Sequence, residues 1–153
     1  LEIMHWALEQ NDPEGWLAPL NYGRDDIRAL IAENDGQFKD NLDRYKYPPR
    51  YELPDPLHHR AQGVVFLKKL NARLLKTAYL SGAKFTFADA AISPFIRQFA
   101  NTDREWFNAL DLSGLQHWLQ NILESDRFLG VMDKYPVWAS GMDEPAFPSA
   151  NSS

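Results

Sequence analysis

The chain contains no cysteine among its 153 residues. Disulfides, thiolate metal sites and a cysteine nucleophile are therefore excluded within these residues. Thiol redox chemistry by this chain is excluded with them.

Long apolar runs are also lacking. No stretch approaches the ~20 apolar residues of a membrane span, and no basic segment followed by an apolar one opens the chain. We therefore expect a soluble, cytoplasmic protein with no membrane partner.

Positive charge is scarcer than negative charge. The chain has 16 Lys and Arg against 21 Asp and Glu, a net charge of -5. Nucleic-acid binding needs a clustered excess of Lys and Arg. We expect no nucleic-acid partner, and a small molecule or a basic partner fits the composition better.

Recognisable catalytic and metal-binding motifs are missing as well. There is no Gly-rich phosphate loop, no Gly-x-Ser-x-Gly elbow and no His-Glu-x-x-His. His58 and His59 are adjacent and point to different faces, while His5 and His117 are isolated. Packing or surface roles are favoured for these histidines. We assign no catalytic residue and no metal ligand.

Helical periodicity is the dominant pattern in the chain. With 44% hydrophobic residues the chain can bury one core, and no segment alternates with the period of two that strands need. Apolar residues at three- and four-residue steps predict helices over residues 1–10, 24–46, 59–79, 87–100, 113–124 and 126–134. Residues 17–23 are interpreted as a linker, and we expect irregular structure after residue 135. The predicted fold class is all-α, a helical bundle with one main domain.

Asp89 lies in the most apolar of these helices, which we expect to be central and buried on all sides. Thr86 precedes it by three residues, immediately before the apolar run, which is the spacing of a capping box. An unsatisfied buried N–H costs about 1 to 3 kcal/mol. The apolar neighbours offer no partner for acid–base catalysis. The sequence favours a structural cap over a catalytic group.

Asn34 interrupts the apolar stripe of the helix predicted over 24–46. The adjacent Gly36 weakens that helix by about 1 kcal/mol. The pair is compatible with a ligand-binding or interface position, whereas an asparagine there also commonly bonds a neighbouring helix, which we favour. Asp35 and Lys39 have the spacing of an exposed i,i+4 ion pair.

The stretch DRYKYPPRY, Asp43 to Tyr51, combines three tyrosines with three cations at the end of the same helix. Such a cluster can line a pocket for an aromatic or anionic ligand. Equally, the rings can pack while their hydroxyls face water. The sequence leaves both interpretations open.

Taken in order, these features resemble the glutathione S-transferase family. SGAKFTFADAAISPFIRQF, Ser81 to Phe99, is similar to the signature of its C-terminal helical domain: Gly, a short loop, Ser/Thr-x-x-Asp and an apolar helix containing proline. LEIMHWALEQNDPEGWL, Leu1 to Leu17, resembles the last helix and linker of the thioredoxin-like domain. IAENDGQFKDNLDRYKYP, Ile31 to Pro48, resembles the first long helix of the C-terminal domain in bacterial members. With REWF and LQHWLQNILESDRF, the likeness covers most of residues 1–138.

The resemblance implies an all-α bundle of the glutathione S-transferase C-terminal type. Residues 1–16 would be the end of a thioredoxin-like domain and its linker, 17–138 the C-terminal helical domain, and 139–153 an irregular tail. Because the chain opens inside a helical pattern, we expect it to be the downstream part of a longer polypeptide. The group that activates glutathione would then belong to the thioredoxin-like domain.

The function implied is conjugation of glutathione to electrophiles, or glutathione-dependent reduction, by a homodimer without a metal. Glutathione would be the cosubstrate, bound mainly outside this chain, and this chain alone would not be catalytic. The chain would supply one wall of the electrophile site and dimer contacts. The residues implied are Asn34, Phe38, Tyr45 and Tyr47 for the substrate, and Asp35 and Lys39 facing glutathione or the partner subunit. The alternative is a non-catalytic module of the same fold that mediates protein–protein interaction.

Overall fold

The computed structural model describes residues 1–21, 24–52, 55–132 and 134–143. Within these ranges the regular structure is helical, and the only β pairing is an isolated antiparallel bridge between Tyr79 and Gly82. The predicted all-α class is confirmed. The α-helices are α1 (Glu2–Gln10), α2 (Ala18–Asn21), α3 (Asp25–Glu33), α4 (Lys39–Lys46), α5 (Leu57–Leu74), α6 (Phe87–Thr102), α7 (Arg104–Asn108), α8 (Ser113–Leu123) and α9 (Asp126–Val131).

The chain divides into two compact units, Leu1–Leu119 and Gln120–Ser153, with the boundary inside α8. The first unit contains α1 to α7 and the start of α8. The second contains the end of α8, α9 and the residues that follow.

Within the first unit, α3 and α4 run antiparallel to α5. Asp26 near the start of α3 pairs with Arg73 near the end of α5. Asn41 Oδ1 in α4 lies 2.9 Å from His59 Nδ1 near the start of α5. Residue numbers thus rise along one helix as they fall along the other, the arrangement expected when a short proline-rich connection joins two helices.

Aromatic rings fill the space between these helices and α6. The Phe38 ring centroid lies 4.9 Å from Phe66 and 5.5 Å from Phe99, and Tyr45 lies 5.2 Å from Phe99. A Cβ on Gly63 would lie only 2.5 Å from Phe99 Cε2. The absence of a side chain at Gly63 therefore leaves room for the Phe99 ring against α5.

α6 is the most deeply packed helix, as its apolar sequence predicts. Its buried residues are Phe87, Ala88, Asp89, Ala91, Ile92, Ser93, Ile96, Phe99 and Ala100. The expectation of burial on all sides is wrong, because Pro94 is exposed and Ala90, Phe95, Arg97 and Gln98 are partly exposed. The missing N–H of a proline is tolerated there at the surface, where water solvates the carbonyl that loses its partner.

The helix predicted over 24–46 is divided by a π-helical turn, Asn34–Phe38, between α3 and α4. This turn holds Gly36, and no atom lies within 4 Å of the position where its Cβ would be. Asparagine, aspartate and glycine are weak α-helix formers, so the hydrogen-bond pattern can widen here at low cost.

The helix predicted over 59–79 ends earlier, at Leu74. Beyond it the Thr77 hydroxyl lies within hydrogen-bond distance of two carbonyls, those of Arg73 (3.2 Å) and Tyr79 (2.9 Å). Threonine competes in this way with the backbone for hydrogen bonds. The periodicity continued through residues that instead form a turn.

Two short helices were not predicted. The segment interpreted as a linker contains α2, because Leu17 and Leu20 are buried and draw the chain onto the core. α7 follows α6 after a single residue, Asp103, whose Oδ1 accepts the Trp106 N–H at 3.1 Å and caps the new helix.

In the second unit, Ser125 caps α9. Its Oγ accepts the Phe128 N–H at 3.2 Å and donates to the Ile122 carbonyl at 2.6 Å. Residues 134–143 have no helix, and residues 144–153 of the predicted tail lie outside the described part of the chain. No helix in the described ranges is both long and apolar enough to cross a membrane.

Candidate functional site

The capped start of α6 is the best-defined polar arrangement in the structure. Thr86 and Asp89 form a capping box, with the Thr86 N–H donating to Asp89 Oδ2 at 3.0 Å. The Thr86 hydroxyl donates to the same oxygen at 3.1 Å and also lies 2.9 Å from Ser81 Oγ. One carboxylate oxygen thus holds the threonine from both its backbone and its side chain.

The other Asp89 oxygen joins two further parts of the first unit. Oδ1 accepts the Leu80 N–H from the loop before α6 and the Trp118 Nε1–H from α8, each at 2.9 Å. Asp89 is fully buried, and this burial raises the pKa of the carboxyl, although the hydrogen bonds from Leu80, Trp118 and Thr86 oppose the rise. With four donors on its two oxygens, Asp89 fixes a loop and two helices and has no free face for a substrate.

The predicted substrate-binding residues lie in different surroundings. Asn34, Phe38 and Tyr45 are buried at 0%, 2% and 7% exposure, whereas Tyr47 is partly exposed. Phe38 and Tyr45 belong to the aromatic core described above, and burial raises the pKa of Tyr45. A ligand at this surface would therefore contact Tyr47. The other three residues would affect ligand binding only by positioning the helix that carries them.

Asn34 keeps an unpaired group in the core. Its Nδ2 lies 3.4 Å from Asp35 Oδ1, and its own Oδ1 has no hydrogen-bond partner among the described residues. An unpaired buried carbonyl costs about 1 to 3 kcal/mol. The bond to a neighbouring helix that the sequence favoured for Asn34 does not form among the described residues.

Tyr47 is surrounded by cations. Lys46 Nζ lies 4.9 Å from the Tyr47 ring centroid and Arg50 Cζ lies 4.6 Å from it. Lys46 also donates to Gln98 Oε1 at 3.0 Å, which ties the end of α4 to α6. Cation–π contact and a partly exposed ring give this corner the chemistry to hold an aromatic or anionic group.

The π-helical turn changes the ion pair expected at Lys39. Lys39 Nζ lies 2.6 Å from Asp43 Oδ2, one turn further along, and the expected pair with Asp35 is not made. Asp43 raises the pKa of Lys39 through that hydrogen bond. Asp35 stays exposed.

Metal chemistry finds no support in the described residues, where no group of three His, Cys, Asp or Glu side chains is arranged to hold an ion. His58 and His59 stack edge to face at 5.3 Å. Burial, together with His58, lowers the pKa of His59. His58 is exposed, and His59 is partly exposed.

Sequence reasoning missed the partners of Asp89 outside the capping box. The sequence pattern places Trp118 in the helix predicted over 113–124 and Leu80 just after the helix predicted over 59–79, and it predicts no contact of either with Asp89. A buried tryptophan needs an acceptor for its N–H. That requirement, together with a carboxylate in an apolar helix, was a signal that could have paired Trp118 with Asp89.

The fold and this network define an all-α domain built around a capped, buried helix. The family model described as "Glutathione S-transferase, C-terminal domain" matches residues 58–139, more than half of the chain. The chain belongs to this family, as its sequence resemblance implied. Comparisons with curated proteins and with solved structures found no match. The matched range includes the Asp89 network and begins after Asn34 and Tyr47.

Proposed function

We propose that the chain is the helical domain of a glutathione S-transferase-like enzyme, in which it forms one wall of the electrophile site. The family match over residues 58–139, with the Asp89 network inside it, is the observation that carries this proposal. In the proposal, glutathione is the cosubstrate and is held mainly by a thioredoxin-like domain. A cytoplasmic location is part of the proposal, since glutathione keeps thiols reduced there.

The division of labour follows from the side chains. The chain has no cysteine, and the carboxylate of Asp89 is occupied by four donors. In the proposal, as the family resemblance implies, thiol activation belongs to the thioredoxin-like domain, while this chain positions the electrophile. Tyr47, with Lys46 and Arg50 over its ring, is the part of the wall open to a ligand.

Asp35 is the exposed acid of the π-helical turn. We propose that Asp35 and Lys39 face glutathione or the second subunit of a homodimer. An Asp35→Asn change would then raise the KM for glutathione, or raise the dimer dissociation constant measured by light scattering after gel filtration. Unchanged values in both measurements would reject this part of the proposal.

Retention of the natural polypeptide on glutathione-agarose tests the proposal as a whole. We expect retention, elution by free glutathione, and turnover with an aromatic halide as the electrophile. A folded protein that is neither retained nor active would reject the enzyme function.

Tyr47→Ala tests the electrophile wall, with Tyr51→Ala as the matched control. Tyr51 also has a cation over its ring, Arg44 at 5.0 Å, and is 40% exposed. We expect Tyr47→Ala to raise the KM for the electrophile and to leave the KM for glutathione unchanged, while Tyr51→Ala changes neither. Equal effects of the two substitutions would contradict a wall at Tyr47.

One observation favours the alternative, a non-catalytic module for protein–protein interaction. Asn34, Phe38 and Tyr45 are buried, so three of the four residues proposed for the substrate wall are closed to a ligand in this structure. Failure of glutathione retention by a folded protein, with a defined stoichiometric partner complex, would support the module over the enzyme.

A further inference from the structure

A second polar surface lies apart from the Asp89 network and from Tyr47. An open pocket of about 470 Å³ is formed where α5 ends, between the start of α3 and the loop before α6. Three cations line it, Arg24 from the start of α3 and Arg73 and Lys76 from the end of α5, together with the hydroxyl of Ser81. The described residues that line the pocket include no acid.

Asp26 is the counter-charge beside this pocket. It accepts Arg24 Nε at 2.9 Å and Arg24 Nη2 at 3.1 Å, and it also pairs with Arg73. These hydrogen bonds, first from Arg24 and then from Arg73, hold the pKa of Asp26 well below its usual range. At neutral pH three cations therefore face one carboxylate, and positive charge remains in excess.

The same contacts fix the two guanidinium groups in place. Arg73 Nε donates to the Leu80 carbonyl and Arg73 Nη2 donates to Asp26, so two hydrogen bonds hold this guanidinium group. In the described part of the chain, the Nη1 groups of Arg24 and Arg73 and the ammonium of Lys76 have no acceptor. Ser81 Oγ lies 2.9 Å from Thr86 Oγ1, and because the Thr86 O–H donates to Asp89, the Ser81 O–H is engaged in this contact. Three cationic donor groups thus border one open space, and ordering the two guanidinium groups requires little further entropy.

Helix electrostatics alone account for only part of this arrangement. Cations at the end of α5, such as Arg73 and Lys76, are favoured by its dipole. Arg24, however, lies at the start of α3, where the dipole disfavours a cation. Its pairing with Asp26 leaves one edge of the guanidinium directed at no described acceptor, so the position of Arg24 suits an anion from outside the chain.

We propose that this pocket binds the phosphate group of a small phosphorylated molecule. Guanidinium forks match the oxygens of a tetrahedral phosphate, and an ammonium adds a point charge. The pocket is larger than a phosphate alone, and the exposed Ala72 in its lining offers an apolar surface for an organic substituent. The proposal is independent of glutathione binding, since none of its residues belongs to the proposed electrophile wall.

The experiment uses the 153-residue chain labelled with 15N and titrated with phenyl phosphate, with chloride added to hold the ionic strength constant. We expect saturable shifts of the Ser81 and Gly82 amides that border the pocket. Inorganic phosphate should compete, and benzyl alcohol, which lacks the anion, should cause no shift at these amides. Shifts spread over the surface without saturation, or equal shifts with benzyl alcohol, would overturn the proposal.

Lys76→Gln and Arg24→Gln test the cations, and Lys68→Gln is the matched control on the same helix. Lys68 is exposed and does not line the pocket. Loss of one charged contact should weaken phenyl phosphate binding about threefold to tenfold in the first two variants. Lys68→Gln should stay within about twofold. If neither pocket variant weakens binding, or if Lys68→Gln weakens it equally, the pocket is not the site.

Discussion

Replacing Asp89 with alanine tests whether the carboxylate holds the first unit together. The change removes the acceptor of four hydrogen bonds, three of them from N–H groups of Leu80, Thr86 and Trp118. Alanine keeps the helix propensity of α6 high, so the loss comes from the unpaired donors and not from the helix itself.

The size of the loss follows from two opposing terms. A hydrogen bond to a charged group contributes about 1.5 to 3 kcal/mol net, and three such N–H donors would lose their partner together. Against this, the variant no longer buries a carboxylate, whose desolvation costs several kcal/mol. We expect a net destabilisation of about 3 kcal/mol. For a chain of this length that corresponds to a fall in Tm of about 6 to 12 °C.

Urea unfolding followed by circular dichroism at 222 nm measures this loss. Asp111→Ala is the control, because Asp111 is an exposed aspartate in the connection between α7 and α8, and it should change stability by less than about 0.5 kcal/mol. If Asp89→Ala unfolds like the control, the network does not hold the fold. If it melts like the wild type in the natural polypeptide but loses turnover, Asp89 has a catalytic role.

The pH dependence of the same network gives a second readout. Because burial raises the pKa of folded Asp89 above its usual 3.8, the folded state favours the protonated acid. The stability from Asp89 is therefore full below about pH 4 and is lost as the pH rises through the folded pKa. We expect the stability difference between wild type and Asp89→Asn to shrink from pH 4 to pH 7. A difference that grows with pH would mean that the hydrogen bonds outweigh burial.

Two further substitutions test the packing of the first unit. Gly63→Ala should destabilise the protein by about 1 to 3 kcal/mol, because its Cβ would lie 2.5 Å from Phe99 Cε2. The control Gly130→Ala should be neutral or stabilising, because no atom lies within 4 Å of its Cβ position. Equal melting temperatures of the two variants would contradict the close contact at Gly63. Asn71→Ala should cost about 1 to 2 kcal/mol in urea unfolding, because Asn71 Oδ1 accepts the Leu115 N–H at 3.0 Å in the first turn of α8. A loss below about 0.3 kcal/mol would show that water replaces this cap.

The central helix was predictable because several local signals agree. A continuous apolar run indicates burial, and the Thr86–Asp89 spacing predicts where the helix begins; the structure places that start at Phe87 with Thr86 as its cap. A buried helix start needs its N–H groups satisfied within a few residues, so the relevant chemistry is local in sequence. The agreement between the apolar pattern of this helix and the Thr86–Asp89 capping spacing also made the family recognisable.

The π-helical turn could not be predicted from the same kind of signal. Its apolar positions, Phe38 among them, fit an uninterrupted α-helix as well as the observed structure. The choice depends on how Phe38 packs against Phe66 and Phe99, which lie on other helices. A one-residue widening is a small local cost, and in the structure Lys39 pairs with Asp43 and not with Asp35.

The candidate ligand wall shows why family resemblance is weaker for sites than for folds. Periodicity places Asn34, Phe38 and Tyr45 on one side of a helix, yet it cannot say whether that side meets a ligand or another helix. In the structure that side packs against α5 and α6, and Tyr47 is partly exposed where the helix ends beside it at Lys46. The ligand wall proposed for this chain would therefore depend on residues at helix ends such as Tyr47. Side chains there are free to vary, since they do not set the packing of the core.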